Sequence, residues 1–335
     1  MTSKKYKIGI QVSSYGDRCG IATYAERLTN ALNNVKKDKA GNTVSVEAYQ
    51  FIDKPQKNTD VINIQFEPGV MPPQKLQKLA NKNIMPIVAT VHHIGYLPQM
   101  WTIVDGYHFH NAEQYEDLPD QPWSKRVIPH PCMVFKDKKK KDLRKKLGLP
   151  NDKKIMGTFG FITGTGKNLP ITVMNIIESM KKDEFLYIGT AFWKGGDFGR
   201  RKQLEDLIKE HGMENNCKLD TDFVSDEELN ERMQACDLLW AWCNVPKKGK
   251  GSQSGIVADM YGARRKLIVK DSAHYSFIGQ QDKVLVGREE PHMFARDVLN
   301  ALRNEDLNDV QDPEWLSWDK QVVEYLDYYQ ELMGE

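Results

Sequence analysis

Twice in this sequence an apolar run breaks into a glycine-bearing loop and resumes as an amphipathic helix. The first instance is the strand Tyr6-Lys-Ile-Gly-Ile-Gln-Val-Ser13, the loop Ser14–Gly20 and the helix Ile21–Leu32; the second is Ile155–Ile162, Thr163–Asn168 and Leu169–Met180. Strand, glycine loop and helix is how an α/β nucleotide-type domain opens. Between the two openings, strands are predicted at Val44–Tyr49, Val61–Gln65, Pro86–Val91, Gly106–His110 and Arg126–Pro129, with a helix at Gln74–Asn81. After the second opening, strands at Phe185–Gly189, Lys218–Phe223, Asp237–Trp242 and Lys266–Val269 alternate with helices at Lys202–His211 and Gly255–Tyr261. A further helix starts at Ser225-Asp-Glu-Glu228, a capping box in which the hydroxyl takes a free backbone N–H. This alternation predicts parallel sheets in two tandem α/β domains. A long helix is expected over Trp315–Met333, with Trp315, Trp318, Tyr325 and Tyr329 along one face.

The chain has 335 residues, enough for two cores of ordinary size, and its 40% hydrophobic content excludes disorder. No apolar run approaches the ~18 residues of a membrane span. The N-terminal Met-Thr-Ser-Lys-Lys-Tyr-Lys leads into a strand rather than a signal-peptide core, so a cytoplasmic protein is expected, with peripheral membrane contact as a variant. Cys19, Cys132, Cys217, Cys236 and Cys243 are odd in number, scattered and without a CxxC pair, which argues for reduced thiols and against a zinc knuckle. The formal net charge of +1 hides an asymmetry. Residues 1–150 hold 23 basic and 14 acidic residues, and residues 151–335 hold 24 and 32. The segment Lys136–Lys146 alone carries 8 basic and 2 acidic residues, and it reads either as a solvated face or as a patch for an anionic partner.

The landmarks Cys19-Gly-Ile-Ala-Thr-Tyr-Ala-Glu-Arg-Leu28, Val88-Ala-Thr-Val-His-His93, Asp142-Leu-Arg-Lys-Lys-Leu-Gly-Leu-Pro150, Gly157-Thr-Phe-Gly160 with Lys167-Asn168, Phe223-Val-Ser-Asp-Glu-Glu-Leu229, Ala235-Cys-Asp237 and Ser254-Gly-Ile-Val-Ala-Asp259 stand in one order over nearly the whole chain. In that order the chain resembles the retaining family 4 glycosyltransferases of GT-B fold. The resemblance implies two Rossmann-like α/β domains facing a central cleft. Residues 1–148 would bind the acceptor, 149–314 the nucleotide sugar, and 315–335 would form a helix returning to the first domain. The activity it implies is transfer of a sugar from a nucleoside diphosphate donor, a UDP- or GDP-sugar, to an acceptor hydroxyl. The anomeric configuration would be retained, without a metal or other cofactor.

Loss of a diphosphate leaves charge that fixed cations or N–H dipoles must meet. Lys167, beside Gly164 and Gly166 at a helix start, brings an ammonium while the loop brings backbone donors. The resemblance carries further donor contacts onto Gly16, Gly20, Gly160, Phe223 and Val224. Where the family has an arginine before this lysine, the chain reads Phe161-Ile162-Thr163, leaving Arg264 and Arg265 as substitutes. Of the family's acid pair eight residues apart, Asp259 is present to hold ribose hydroxyls, and Gly251 stands in place of the other. Ser252, Gln253, Ser254 and Gly255 then offer hydroxyls, an amide and helix N–H groups to sugar and phosphate. His92 follows a strand and falls where the family's histidine faces the reaction centre, with His93 as the register alternative on the acceptor side. Glu67 follows another strand and reads as an acceptor-hydroxyl base or as a turn-surface acid before Pro68.

Other chemistries fail on spacing. Gly16-Asp-Arg-Cys-Gly20 is not a dinucleotide fingerprint, and Gly164-Thr-Gly-Lys167 lacks the full phosphate-loop pattern. His92, His93, His108, His110 and His130 lack HxxxH or HExxH spacing, so no metal site is assigned. Asp220-Thr-Asp222 is a chance DxD at a strand. A basic first half facing an acidic second half fits an anionic acceptor: glycan, lipid or nucleic acid with a hydroxylated base. The alternative to an enzyme is a non-catalytic nucleotide-sugar-binding or scaffold protein on a degenerate GT-B frame, suggested by the absent acid and arginine.

Overall fold

The computed structural model describes residues 5–14, 16–17, 19–35, 37–38, 42–50, 59–67, 73–81, 85–93, 103–112, 124–161, 169–191, 198–245, 247 and 252–334. By packing the chain divides into two units. One holds Met1–His130, Lys250–Gln253 and Trp318–Glu335; the other holds Pro131–Gly249 and Ser254–Ser317.

The first unit contains β1 (Lys5–Val12), α1 (Gly20–Asn34), β2 (Thr43–Gln50), β3 (Val61–Phe66), α2 (Pro73–Ala80), β4 (Ile87–Val91), β5 (Gly106–Phe109) and β6 (Ser124–Val127). Its sheet is parallel throughout, in the order β2-β1-β3-β4-β5-β6. Period-2 alternation sorts the side chains of the middle strands onto two different faces. Ile62, Ile64, Phe66, Ile87, Ala89, Val91, Tyr107 and Phe109 form an apolar core with Leu76 and Leu79 of α2. The opposite face presents Asn63, Gln65, Thr90, His108 and His110, and these polar groups are buried too.

In the second unit follow α3 (Lys140–Leu147), β7 (Lys154–Phe161), α4 (Leu169–Ile177), β8 (Glu184–Ala191), α5 (Phe198–Glu210), β9 (Cys217–Asp220), α6 (Asp226–Gln234), β10 (Leu238–Ala241), α7 (Gly255–Gly262), β11 (Lys266–Lys270), α8 (Ser276–Gly279), β12 (Val284–Gly287) and α9 (Pro291–Arg303). Its parallel sheet runs β12-β11-β10-β7-β8-β9. Both faces are apolar, because successive residues of one strand serve different cores. Leu238, Trp240 and Trp242 join α4, α5 and α9, whereas Leu239, Ala241 and Cys243 join α7. At the start of α6, Ser225 Oγ accepts from Glu228 N–H at 3.2 Å, the cap read from the sequence. Near the end of α7, a Cβ on Gly262 would stand 2.2 Å from the carbonyl oxygen of Met133, so only glycine allows the segment after His130 to lie so close.

The final helix, α10 (Trp318–Leu332), belongs to the first unit. The hydroxyls of its Tyr325 and of Tyr24 in α1 meet at 2.5 Å, and Tyr328 donates between the carbonyls of Tyr107 and Ser124 at 3.1 and 3.0 Å. Trp318, Tyr325 and Tyr329 are buried as a stripe, joined by Tyr328, which the sequence pattern missed. Trp315 is not part of that stripe. It lies in a short 3-10 turn of the second unit, 41% exposed, with Phe277 6.1 Å away and its Nε1–H on Tyr261.

A division at 148 does not match the packing, which divides the chain after His130. Arg144 explains why residues 131–148 go with the second unit. Its guanidinium donates to Ala235 O at 2.9 Å and meets Asp237 at 2.6 Å. Three lysines of the basic segment are paired in the same way: Lys138 meets Glu231 at 2.7 Å and Glu227 at 3.0 Å, Lys146 meets Glu231 at 2.5 Å, and Lys140 meets Asp237 at 3.1 Å, while Lys136, Lys139, Lys141 and Lys145 are exposed. Without this segment the first unit's residues 1–130 hold 15 basic and 12 acidic residues, so the contrast between basic and acidic halves largely disappears.

Candidate active site

In an open parallel sheet, ligands bind beyond the carboxyl ends of the strands, where the strand order reverses. In the second unit the chain moves outward from β7 to β8 and β9, then returns to β10 and moves the other way. The reversal therefore lies between β7 and β10. A small hollow of about 20 Å³ sits at that edge, lined among others by Thr158, Phe161, Thr190, Trp242 and Val257. Thr190 Oγ1 and Trp242 Nε1 are buried and have no hydrogen-bond partner among the described residues. Two buried polar atoms turned to one hollow are what a polar ligand or a water would satisfy. Gly160, at φ +121°, takes a conformation that other residues rarely adopt and turns β7 into Phe161. Phe161 and the exposed Phe223 stack nearly parallel, centroids 6.0 Å apart, with half-buried Val224 following. Lys270, 5% exposed at the end of β11, donates to the carbonyls of Cys243 and Val245 at 3.0 and 2.9 Å, with the Trp242 ring 4.8 Å away. Ser254 N-caps α7 without a side-chain cap bond, so the first N–H groups of that helix, from Gly255 on, stay uncapped by it.

In the first unit the order reverses between β1 and β3. Beyond β1 lies the turn holding Gly16, then Cys19, whose Sγ accepts from Ala22 N–H and caps α1 at Gly20. Beyond β3 lies Glu67, half-buried. His92 is the first residue past β4 and is half-buried; His93 is exposed. The His92 ring bonds Gln65 Oε1 at 2.8 Å through Nε2. From there a chain of polar side chains crosses the buried face of the sheet. The Gln65 amide donates to Asn63 Oδ1, Asn63 donates to Thr90 Oγ1 at 2.9 Å, Thr90 meets His108 Nδ1 at 3.3 Å, and His108 Nε2 meets Ile128 O at 3.0 Å. Tyr24 stands edge-on to His92, His110, His130 and Trp318, at centroid distances from 4.9 to 5.3 Å. Burial, reinforced by His130 and His108, pushes His92 down to about 3; burial also pushes His108 down to about 4, against the pull of the Ile128 carbonyl. These rings are neutral at physiological pH. Among the described residues no group of three or more His, Cys, Asp or Glu side chains is placed to hold a metal ion.

Comparison with solved structures supplies the name of the architecture. The chain matches a glycosyltransferase from Rickettsia africae with a TM-score of 0.72 and 12% identity, over 98% of this chain and 99% of that one. It matches sucrose-phosphate synthase from Thermosynechococcus elongatus at 0.68 and 12%, over 98% and 96%. Anabaena HepE, solved in complex with UDP-glucose, matches at 0.68 and 12%, over 98% of each chain. The fold is GT-B. No family model matches the sequence, and no curated protein matches it. At such identity the likeness is one of fold, and the two Rossmann-like units are the two halves of a GT-B frame.

Within that frame the expected residues fall unevenly. Lys167, with Gly164 and Gly166, lies outside the described residues, as does Gly251. Gly160, Phe223, Val224, Ser254 and Gly255 all belong to the second unit: Gly160 is the last but one residue of β7, Phe223 and Val224 follow β9, and Ser254 and Gly255 start α7. Ser252 and Gln253, half-buried, are grouped with the first unit, as are Gly16, Gly20, Glu67, His92 and His93. Asp259 is buried in α7, and its Oδ1 accepts from Met133 N–H at 2.9 Å. Arg264 and Arg265 do not replace the absent arginine, for they precede β11 at the amino edge of the sheet. There Arg264 pairs with Glu314, and Arg265 with Asp137 and Gln234 O. Asp220 is engaged by Tyr187 Oη at 2.7 Å, by Lys218 and by Arg232, while Asp222 is exposed, so the two make no chelating pair. Thr190, Trp242 and Lys270 went unread because each stands at or beside the carboxyl end of a strand that the sequence presents only as a buried run.

Proposed function

We propose that this chain is a glycosyltransferase that moves a sugar from a nucleoside diphosphate donor to an acceptor hydroxyl, with retention and without a required metal, and that it works in the cytoplasm. The observation that carries the reading is the GT-B likeness over 98% of the chain to structures that include one solved with UDP-glucose. The switch-point edge of the second unit supports it independently, since its stacked Phe161 and Phe223 suit a nucleobase and its uncapped helix start suits phosphate. Lys167 meets the leaving diphosphate, Lys270 adds a fixed positive charge at the same edge, and Gly160, Val224, Ser252, Gln253, Ser254 and Gly255 contribute backbone and hydroxyl contacts. Asp259 holds the ribose. Gly16, Gly20, His92, His93 and Glu67 serve from the first unit. Lys138, Lys140, Arg144 and Lys146 are paired within the second unit while Lys136, Lys139, Lys141 and Lys145 are exposed, so an anionic acceptor, a glycan, lipid or nucleic acid with a hydroxylated base, stays part of the proposal.

The test is release of nucleoside diphosphate from UDP- and GDP-sugars with and without Lys167→Ala. Turnover is expected to fall by roughly 100-fold or more, as loss of one transition-state donor usually costs. Unchanged turnover would remove the assignment. Asp259 serving a backbone amide favours the second reading, a nucleotide-sugar-binding scaffold, and donor binding without any turnover across an acceptor screen would establish it.

A further inference from the structure

A backbone carbonyl can only accept a hydrogen bond, and a neutral imidazole carries one donor and one acceptor. Ile128 O lies 3.0 Å from His108 Nε2, so that nitrogen bears the proton and His108 Nδ1 is left as acceptor. The Thr90 hydroxyl has two acceptors at 3.3 Å, His108 Nδ1 and Asn63 Oδ1; the Asn63 oxygen already receives the Gln65 amide, so the single Thr90 proton goes to Nδ1, which has no other donor, and the Thr90 oxygen receives the Asn63 amide. The Asn63 oxygen receives the Gln65 amide, and the Gln65 oxygen is left facing His92 Nε2 at 2.8 Å. That oxygen needs a donor, so the His92 proton sits on Nε2. The reversed chain, with every amide flipped and every hydroxyl turned, would set an unprotonated His108 Nε2 against the Ile128 carbonyl, acceptor against acceptor. Burial keeps both rings neutral, which removes the doubly protonated alternative.

We infer that the carbonyl of Ile128 fixes the tautomer of His92 through His108, Thr90, Asn63 and Gln65, and that His92 Nδ1 is thereby presented as a bare acceptor for a substrate hydroxyl. Among the described residues that nitrogen makes no hydrogen bond. A neutral acceptor takes an O–H and repels phosphate or carboxylate oxygen. The group that His92 meets is therefore a sugar or acceptor hydroxyl, and not the diphosphate. Gln65, Asn63, Thr90 and His108 are positioning residues in this scheme, each buried and none required to touch substrate. The tautomer stands on the geometry alone, whereas the hydroxyl partner rests on the glycosyltransferase reading.

Long-range proton–nitrogen spectra of the full-length, nitrogen-15-labelled protein at neutral pH read the two ring nitrogens separately, with His92→Gln assigning the signal. Wild type is expected to show His92 and His108 each as a single Nε2–H form. Thr90→Val removes the one hydroxyl that joins the two halves of the chain, so a second population with the His92 proton on Nδ1 is expected, and Thr90→Ser abolishes it. A wild-type His92 protonated at Nδ1, or a Thr90→Val spectrum unchanged at His92, overturns the inference. The wild-type spectrum decides even if Thr90→Val does not fold. With UDP-glucose as donor, Thr90→Val is expected to lower turnover about tenfold, within the range for loss of an orienting hydrogen bond, and Thr90→Ser to restore it. Wild-type spectra as expected, with no turnover on any nucleotide sugar, would strike the glycosyltransferase reading and leave the relay standing.

Discussion

Asp259 is asked to do two things with one carboxylate. Its Oδ1 holds the Met133 amide, where Gly262 lets the backbone approach, and the proposed function gives it the ribose as well. Asp259→Asn separates the tasks, because the asparagine oxygen can still accept from Met133 while the charge is lost. Donor affinity is expected to weaken roughly tenfold, as for a hydrogen bond to a charged group, with turnover at saturation and the melting temperature nearly unchanged. Titration calorimetry with UDP and a thermal melt check both halves. A lower melting temperature with unchanged affinity would make Asp259 a pin for α7 and nothing more.

At the level of elements, the middle strands of the first sheet carry the least expected feature, a buried polar face covered by Tyr24 of α1 and Tyr325 of α10. Its histidines make stability depend on pH. His92, His108 and His110 are held below the ordinary histidine value by burial, so the unfolded chain takes up protons that the folded one refuses. Their contribution is whole above the unfolded value near 6.5 and is lost as pH falls toward the folded values, about 3 for His92 and about 4 for His108, by up to about 1.4 kcal/mol per pH unit for each ring. Melting temperatures between pH 7 and pH 4.5 check this, and His108→Gln is expected to flatten the decline. This face also shows why the strands were easier to read than the site. Val61-Ile-Asn-Ile-Gln-Phe66 alternates like a strand with one wet face, and the sequence has no means of announcing that a helix more than 250 residues later covers it. The two strand–loop–helix openings were legible because their signal is local. The ion pairs of the Lys136–Lys146 segment were not legible because the partners, Glu227, Glu231 and Asp237, lie some 90 residues away. β12 and α9 went unread, the former a four-residue strand too short for a period to show.

For the molecule as a whole, the two units share one chain but not one order of assembly in sequence. Removing residues 318–335 takes from the first unit the partner of Tyr24 and the cover over His108. Hydrogen exchange on a chain stopped at Ser317 is expected to lose protection in α1 and β5 while β7 and β10 keep theirs. Equal loss in both units would contradict the division. No helix among the described residues is long and apolar enough to cross a membrane.

The hydroxyl contact between Tyr24 and Tyr325 spans 301 positions of sequence. On a ribosome, residues 5–130 emerge nearly 190 residues before 318–332, so Tyr24 of α1 reaches the polar sheet face early while the part over His108 waits for Tyr325. For the time it takes to translate nearly 190 residues His108 lacks the ring of Tyr325 beside it, and a chaperone or a protease would meet that part of the face.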